Sequence, residues 1–108
     1  MTNPMMIRQG DVLLVKVTKR PAGLKSHRGR LVLATGEATG HAHVIDDPAA
    51  TLWGDELTAR FLEVIGDVVD LVHTSEPKDH ETLSVPPGLY RVLRQREWTP
   101  EAVRLVGD

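Results

Sequence analysis

Glycine and proline residues divide the chain into short apolar runs, and this spacing limits the folds it can adopt. The 108 residues include nine glycines and seven prolines. Many runs between them are rich in Val and Leu, and we find no convincing helical period except around residues 55–61. About seven short strands with turns every eight to twelve residues are typical of a small β-sandwich or β-barrel. We therefore predict one all-β domain over residues 1–108, with residues 1–6 as a flexible leader.

Turn signals place the individual strands. Gly66-Asp67 suits a two-residue primed turn, so a hairpin is predicted between residues 60–65 and 68–73. Pro86-Pro87-Gly88 predicts a turn with a positive φ at Gly88, and Tyr90, Val92 and Leu93 are core candidates in the strand that follows. Residues 19–29 are predicted to be an exposed loop, and residues 51–55 are ambiguous. The remaining predicted strands are 11–18, 30–34, 41–45, 83–85, 89–98 and 101–106.

Composition excludes several kinds of site. The chain has no cysteine, so disulfides, thiolate ligands and cysteine nucleophiles are excluded, and a metal would need imidazole, carboxylate or water ligands. The net charge of −2 is less basic than a dedicated nucleic-acid module usually has. No apolar run could span a bilayer and no signal-peptide pattern is present. We therefore expect a cytoplasmic protein with no membrane partner.

Histidines provide the strongest candidate site. His41 and His43 are one residue apart in a predicted strand, so alternation directs both to the same face. His73 and His80 lie near the ends of other predicted segments. Neutral imidazole is a common ligand of transition metals. These four histidines are therefore predicted to bind a divalent transition metal (zinc, iron, manganese or nickel), the alternative being surface histidines.

The same residues could support catalysis. Glu37 is the candidate base or supporting carboxylate, and His80 is the second candidate catalytic residue. A metal-bound water would be a nucleophile near neutral pH, and the substrate would be a small molecule or a phosphodiester. Without a metal, one imidazole could act as base and another as acid. The sequence leaves open whether the protein is an enzyme.

Two further hypotheses concern binding rather than chemistry. Alternation places Arg94, Arg96 and Trp98 on one face of a strand and Arg91 on the other. Such a set could contact phosphates and stack a base, as in a module for RNA or single-stranded nucleic acid. Pairing with the many carboxylates of the second half of the chain is the alternative role for these arginines. Separately, short β domains often form homo-oligomers through their edge strands.

Several motifs resemble those of a family of small uncharacterised bacterial and phage proteins. They are Arg-Gln-Gly-Asp-Val-Leu-Leu at 8–14, Gly-Glu-Ala-Thr-Gly-His-Ala-His at 36–43, His73 with His80, and the segment from Pro87 to Glu97. The resemblance covers most of the chain and implies no particular activity.

A weaker resemblance is to the cupins. Gly36, His41, His43 and Asp47 are similar to the first cupin motif, which implies a metal-binding β-barrel. The position three residues after Gly88 is Arg91, where the second cupin motif would imply a histidine ligand. His73 or His80 would have to take that place.

Overall fold

The fold consists of β-strands joined by turns and loops. The computed structural model describes residues 6–35, 41–55, 57–74 and 82–94. Turns interrupt the apolar runs before a helical pattern can develop, so these ranges form strands of two to seven residues. The strands are β1 (Met6–Gln9), β2 (Val12–Val17), β3 (Ser26–His27), β4 (Arg30–Thr35), β5 (Ala42–Asp46), β6 (Ala50–Trp53), β7 (Arg60–Val64), β8 (Val69–Thr74), β9 (Leu83–Val85) and β10 (Gly88–Arg94).

The strands form two antiparallel sheets. The larger sheet has the order β1-β2-β10-β7-β6-β3, and the smaller has the order β4-β5-β8-β9. In the larger sheet β10 lies between β2 and β7, with Leu93 opposite Leu13 and Tyr90 opposite Leu62. The predicted all-β class is confirmed, in the form of two sheets facing one another.

One hydrophobic core joins the two sheets. Leu33, Ile45 and Leu71 of the smaller sheet belong to the same buried cluster as Tyr90 and Val92 of the larger. Leu93 is also buried, in a second cluster with Leu13 and Val15, because successive residues of a strand point to opposite faces. The three predicted core residues of β10 are thus confirmed, and this strand is covered on both faces.

The hairpin predicted at Gly66-Asp67 is wrong. β7 pairs with β6 and β10 in the larger sheet, whereas β8 pairs with β5 and β9 in the smaller sheet. Gly66 does adopt a positive φ of 84°, as the turn chemistry indicated. The segment at Gly66-Asp67 carries the chain from one sheet to the other. β7 and β8 then bury apolar residues in the shared core from opposite sides.

Other predicted segments differ less from the strands of the structure. The predicted loop at 19–29 includes the short strand β3, which pairs with β6, and the ambiguous segment at 51–55 contributes most of β6. Gly88 has the expected positive φ, at 156°. The predicted flexible leader at 1–6 is wrong at Met6, where β1 begins, and residues 1–5 lie outside the described residues. The last part of predicted strand 89–98 and all of 101–106 also lie outside them. In the described part of the chain, no helix has the length and apolar character needed to cross a membrane.

Candidate metal centre

Strand register brings two of the predicted histidines together. His43 of β5 is directly opposite His73 of β8 in an antiparallel pair, and directly opposite residues project to the same side of a sheet. Both side chains are buried, each with 4% of its surface exposed. Ile45 and Leu71, two residues away along the same strands, belong to the hydrophobic core. The histidine pair therefore lies on the face of the smaller sheet that packs against the larger one.

A third histidine contacts this pair. His41 precedes the first residue of β5 and is half-buried. Its ring centroid lies 5.6 Å from that of His73, in an edge-on arrangement. The centroids of His43 and His73 are 4.6 Å apart, with the rings tilted by 44°. We call His41, His43 and His73 the histidine cluster.

Gln9 links the histidine cluster to the larger sheet. It lies in β1 and is 2% exposed. Its Nε2 donates a hydrogen bond to the backbone carbonyl of Leu71 at 2.9 Å, and its Oε1 lies 2.8 Å from Nδ1 of His43. A single amide therefore satisfies two buried polar groups of the smaller sheet, which would be costly to leave without partners.

These two contacts determine the tautomer of His43. A carbonyl oxygen only accepts hydrogen bonds, so the Leu71 contact fixes the amide nitrogen of Gln9 on that side. Oε1 then faces the imidazole, and Nδ1 must donate the proton. In the neutral ring the lone pair is consequently on Nε2, which is the form that can bind a metal.

Sequence reasoning anticipated the histidines but missed Gln9. A lone glutamine in a short strand has no motif that distinguishes it from a surface residue, and its role depends on contact between sheets. The other two predicted residues of this site, Glu37 and His80, lie outside the described residues. Within the described ranges, no three His, Asp or Glu side chains are already arranged to hold a metal ion.

The predicted nucleic-acid residues are also placed in part. Arg94 Nε contacts Asp11 Oδ2 at 2.8 Å, and Arg94 Nη2 donates to the Thr35 carbonyl at 3.1 Å. The guanidinium carbon of Arg91 lies 5.4 Å from the centroid of the Phe61 ring. Arg94 thus pairs with a carboxylate, but with Asp11 of the first half of the chain rather than with one of the second half, as the alternative role predicted. Arg96 and Trp98 are outside the described residues.

Comparisons with known proteins identify a family without assigning an activity. Searches of curated proteins and of solved structures give no significant match. A family model matches residues 8–95, which include the histidine cluster, Gln9 and the arginines of β10. The chain therefore belongs to the family described as Domain of unknown function (DUF8820).

Proposed function

We propose that the histidine cluster binds a divalent transition metal (zinc, iron, manganese or nickel) in a small cytoplasmic β protein. The observation that carries this proposal is the hydrogen bond between Gln9 and His43. Histidines that bind metals almost always donate their other ring N–H to an acceptor, which orients the ring and sets the tautomer. Gln9 supplies that acceptor and directs the Nε2 lone pair of His43 to the metal.

Ring spacing supports the same proposal. With metal–nitrogen distances of about 2.1 Å, two imidazoles on one tetrahedral ion have centroids roughly 5 Å apart. The distances of 4.6 and 5.6 Å within the histidine cluster lie on either side of that value. Because no set of three ligands is arranged for a metal in the described ranges, binding requires the rings of His41 and His73 to rotate.

The remaining predicted residues would complete this centre. His80 would be the fourth ligand, replacing the histidine missing from the second cupin-like motif, and Glu37 would act as the base. A bound metal would supply a water of lowered pKa near a small molecule or phosphodiester. The metal proposal does not depend on this catalytic step, because binding can be measured without turnover.

Metal content of single variants tests the proposal. We expect the reconstituted protein to hold close to one equivalent of metal by elemental analysis, and His43→Ala and His73→Ala to lose it. His41→Ala should bind more weakly and, because His41 is only half-buried, should keep the fold. The matched control is His27→Ala, an exposed histidine in β3, which should retain the metal.

Cobalt(II) absorption distinguishes a bound ion from an adventitious one. Visible bands should appear with the wild type and change in His41→Ala, with circular dichroism reporting the fold of each variant. Unchanged metal content in folded His41→Ala and His73→Ala would contradict the proposal. Failure of the wild type to bind any of the four metals after reconstitution would also contradict it.

A further inference from the structure

A second candidate site lies between the sheets, in a pocket of about 390 Å³. This volume falls within the range typical of small-molecule sites. Strands of both sheets line it, together with the loop that precedes β7. Its described lining residues are Val32, Leu33, Ala34, Thr35, Thr58, Ala59, Arg60, Arg91, Val92 and Arg94. The lining includes no member of the histidine cluster, so this is a different site.

Two arginines give the pocket its chemistry. We call Arg60 and Arg94 the arginine corner. Arg60 is directly opposite Val92 in the β7–β10 pair, and Arg94 follows Val92 by two positions, so Arg60 and Arg94 lie on the same face of the larger sheet. Val92 belongs to the shared core, which shows that this face is the one turned towards the smaller sheet.

Backbone carbonyls of β4 hold both of these guanidinium groups. Arg60 Nη2 donates to the Leu33 carbonyl at 2.6 Å, and Arg94 Nη2 donates to the Thr35 carbonyl at 3.1 Å. β4 is an edge strand of the smaller sheet, so carbonyls along its outer side can accept side-chain donors. Each guanidinium carries five N–H donors, so it can keep such a bond and still bind an anion.

The charged residues in the described lining of the pocket are arginines. Asp11 contacts Arg94 from outside that lining at 2.8 Å, which offsets the charge of Arg94. Guanidinium groups present a planar pair of donors that matches the oxygens of phosphate and carboxylate groups. A small oxyanion therefore has the charge and the donor geometry that this pocket favours.

We propose that the arginine corner binds a small molecule carrying a phosphate or carboxylate group. The site is lined by both sheets and by the Thr58–Ala59 loop, which suits a compact ligand better than a nucleic-acid strand lying across β10. The proposal does not depend on metal binding by the histidine cluster.

Amide NMR titration of the whole chain tests the proposal with defined probes. Inorganic phosphate and acetate are added separately at constant ionic strength, with chloride as the reference anion. We expect saturable shifts at Thr35, Thr58 and Ala59 with at least one probe, and the stronger of the two identifies the preferred group. A short RNA oligonucleotide forms a third arm.

Charge variants make the result specific. Arg60→Gln should weaken binding at least tenfold, while Arg28→Gln should not change it, because Arg28 is exposed and bonds to the Pro48 carbonyl. Asp11→Asn should tighten binding severalfold, since it removes the carboxylate beside Arg94. This last variant increases affinity, so loss of folding cannot imitate the expected result.

Three outcomes would overturn the proposal. The first is the absence of saturable shifts with both phosphate and acetate in the folded wild type. The second is unchanged affinity in Arg60→Gln together with Asp11→Asn. The third is a response to RNA alone, with shifts outside the pocket lining.

Discussion

The histidine cluster and the arginine corner both connect the two sheets, but their polar contacts differ in kind. At the histidine cluster, a side chain of the larger sheet bonds to one side chain and one carbonyl of the smaller sheet, and Gln9 and His43 are almost completely buried. At the arginine corner, charged side chains of the larger sheet bond to carbonyls of an edge strand, and Arg60 and Arg94 are only partly buried.

This difference determines how each region should respond to substitution. A buried polar group that loses its partner keeps its desolvation cost, about 1–3 kcal/mol. A partly exposed group can exchange its protein partner for water at a lower cost. Substitutions in the histidine cluster should therefore lower the free energy of unfolding, whereas substitutions in the arginine corner should mainly weaken ligand binding.

Gln9→Ala should have the largest effect. It leaves both His43 Nδ1 and the Leu71 carbonyl without the amide that bonds to them, so we expect a loss of about 3 kcal/mol in the free energy of unfolding. Metal affinity should fall by about 10–100-fold. Urea unfolding and metal titration measure the two effects.

The control for Gln9→Ala is Arg8→Ala, at the neighbouring exposed position of β1. It should change stability by less than about 0.5 kcal/mol. Equal losses in the two variants would show that the buried amide has no special role.

Arg60→Met should have the second-largest effect on the free energy of unfolding. It removes the charged donor to the Leu33 carbonyl but retains most of the apolar stem, so we expect a loss of about 1.5 kcal/mol. Thermal unfolding monitored by circular dichroism is sufficient to measure it. A loss larger than that of Gln9→Ala would reverse the contrast between the two regions.

Tyr90→Phe provides a neutral counterpart to the arginine contacts. The Tyr90 hydroxyl donates to the Pro86 carbonyl at 2.7 Å, and removing it should cost about 1 kcal/mol at neutral pH. Burial raises the pKa of Tyr90 above its ordinary value of 10.0. The folded state therefore holds this proton more tightly, and its contribution to stability is lost as the pH rises above about 10.

Denaturant unfolding between neutral and alkaline pH checks the sign of this effect. The stability difference between wild type and Tyr90→Phe should become smaller as the pH rises, because the variant has no hydroxyl to ionise. A difference that grows with pH would contradict the buried, protonated Tyr90.

Asp11→Asn should have the smallest effect on stability. The Asp11 side chain is 40% exposed and that of Arg94 is 24% exposed, so their ion pair should contribute no more than about 0.5 kcal/mol. The difference in the free energy of unfolding between variant and wild type, measured by chemical unfolding, should be nearly the same at low and at high salt. A loss above that of Tyr90→Phe would show that the pair contributes substantially to joining β10 and the start of β2.

Local sequence patterns predicted most of the strands but missed β1 and β3, and they did not predict which strands pair. β2 and β4 lie within one residue of the predicted ranges because turn residues and apolar runs mark them clearly. At Gly66-Asp67 the same local chemistry predicted a hairpin, whereas β7 and β8 belong to different sheets. Turn residues determine where the chain reverses, but the choice of sheet depends on core contacts between distant residues.

In the candidate site, too, local patterns predicted the features within a strand but not the contacts between sheets. Alternation correctly indicated that His41 and His43 could reach a common partner, and strand register placed His73 there. Gln9 and Arg60 could not be recognised as members of a site, because each makes its contact with a residue of the opposite sheet. Patterns within one strand contain no information about such contacts.

The central position of β10 has a consequence for the order of folding. This strand comes last among the described strands, yet it separates β1-β2 from β7-β6-β3 in the larger sheet. Arg94 and Asp11, which meet where β10 and β2 align, are 83 positions apart in the chain. During synthesis the larger sheet therefore remains in two parts until β10 leaves the ribosome, and contacts so distant in sequence favour slow folding. The unpaired backbone edges of β2 and β7, with the apolar faces beside them, are the surfaces that a chaperone would need to shield during that interval.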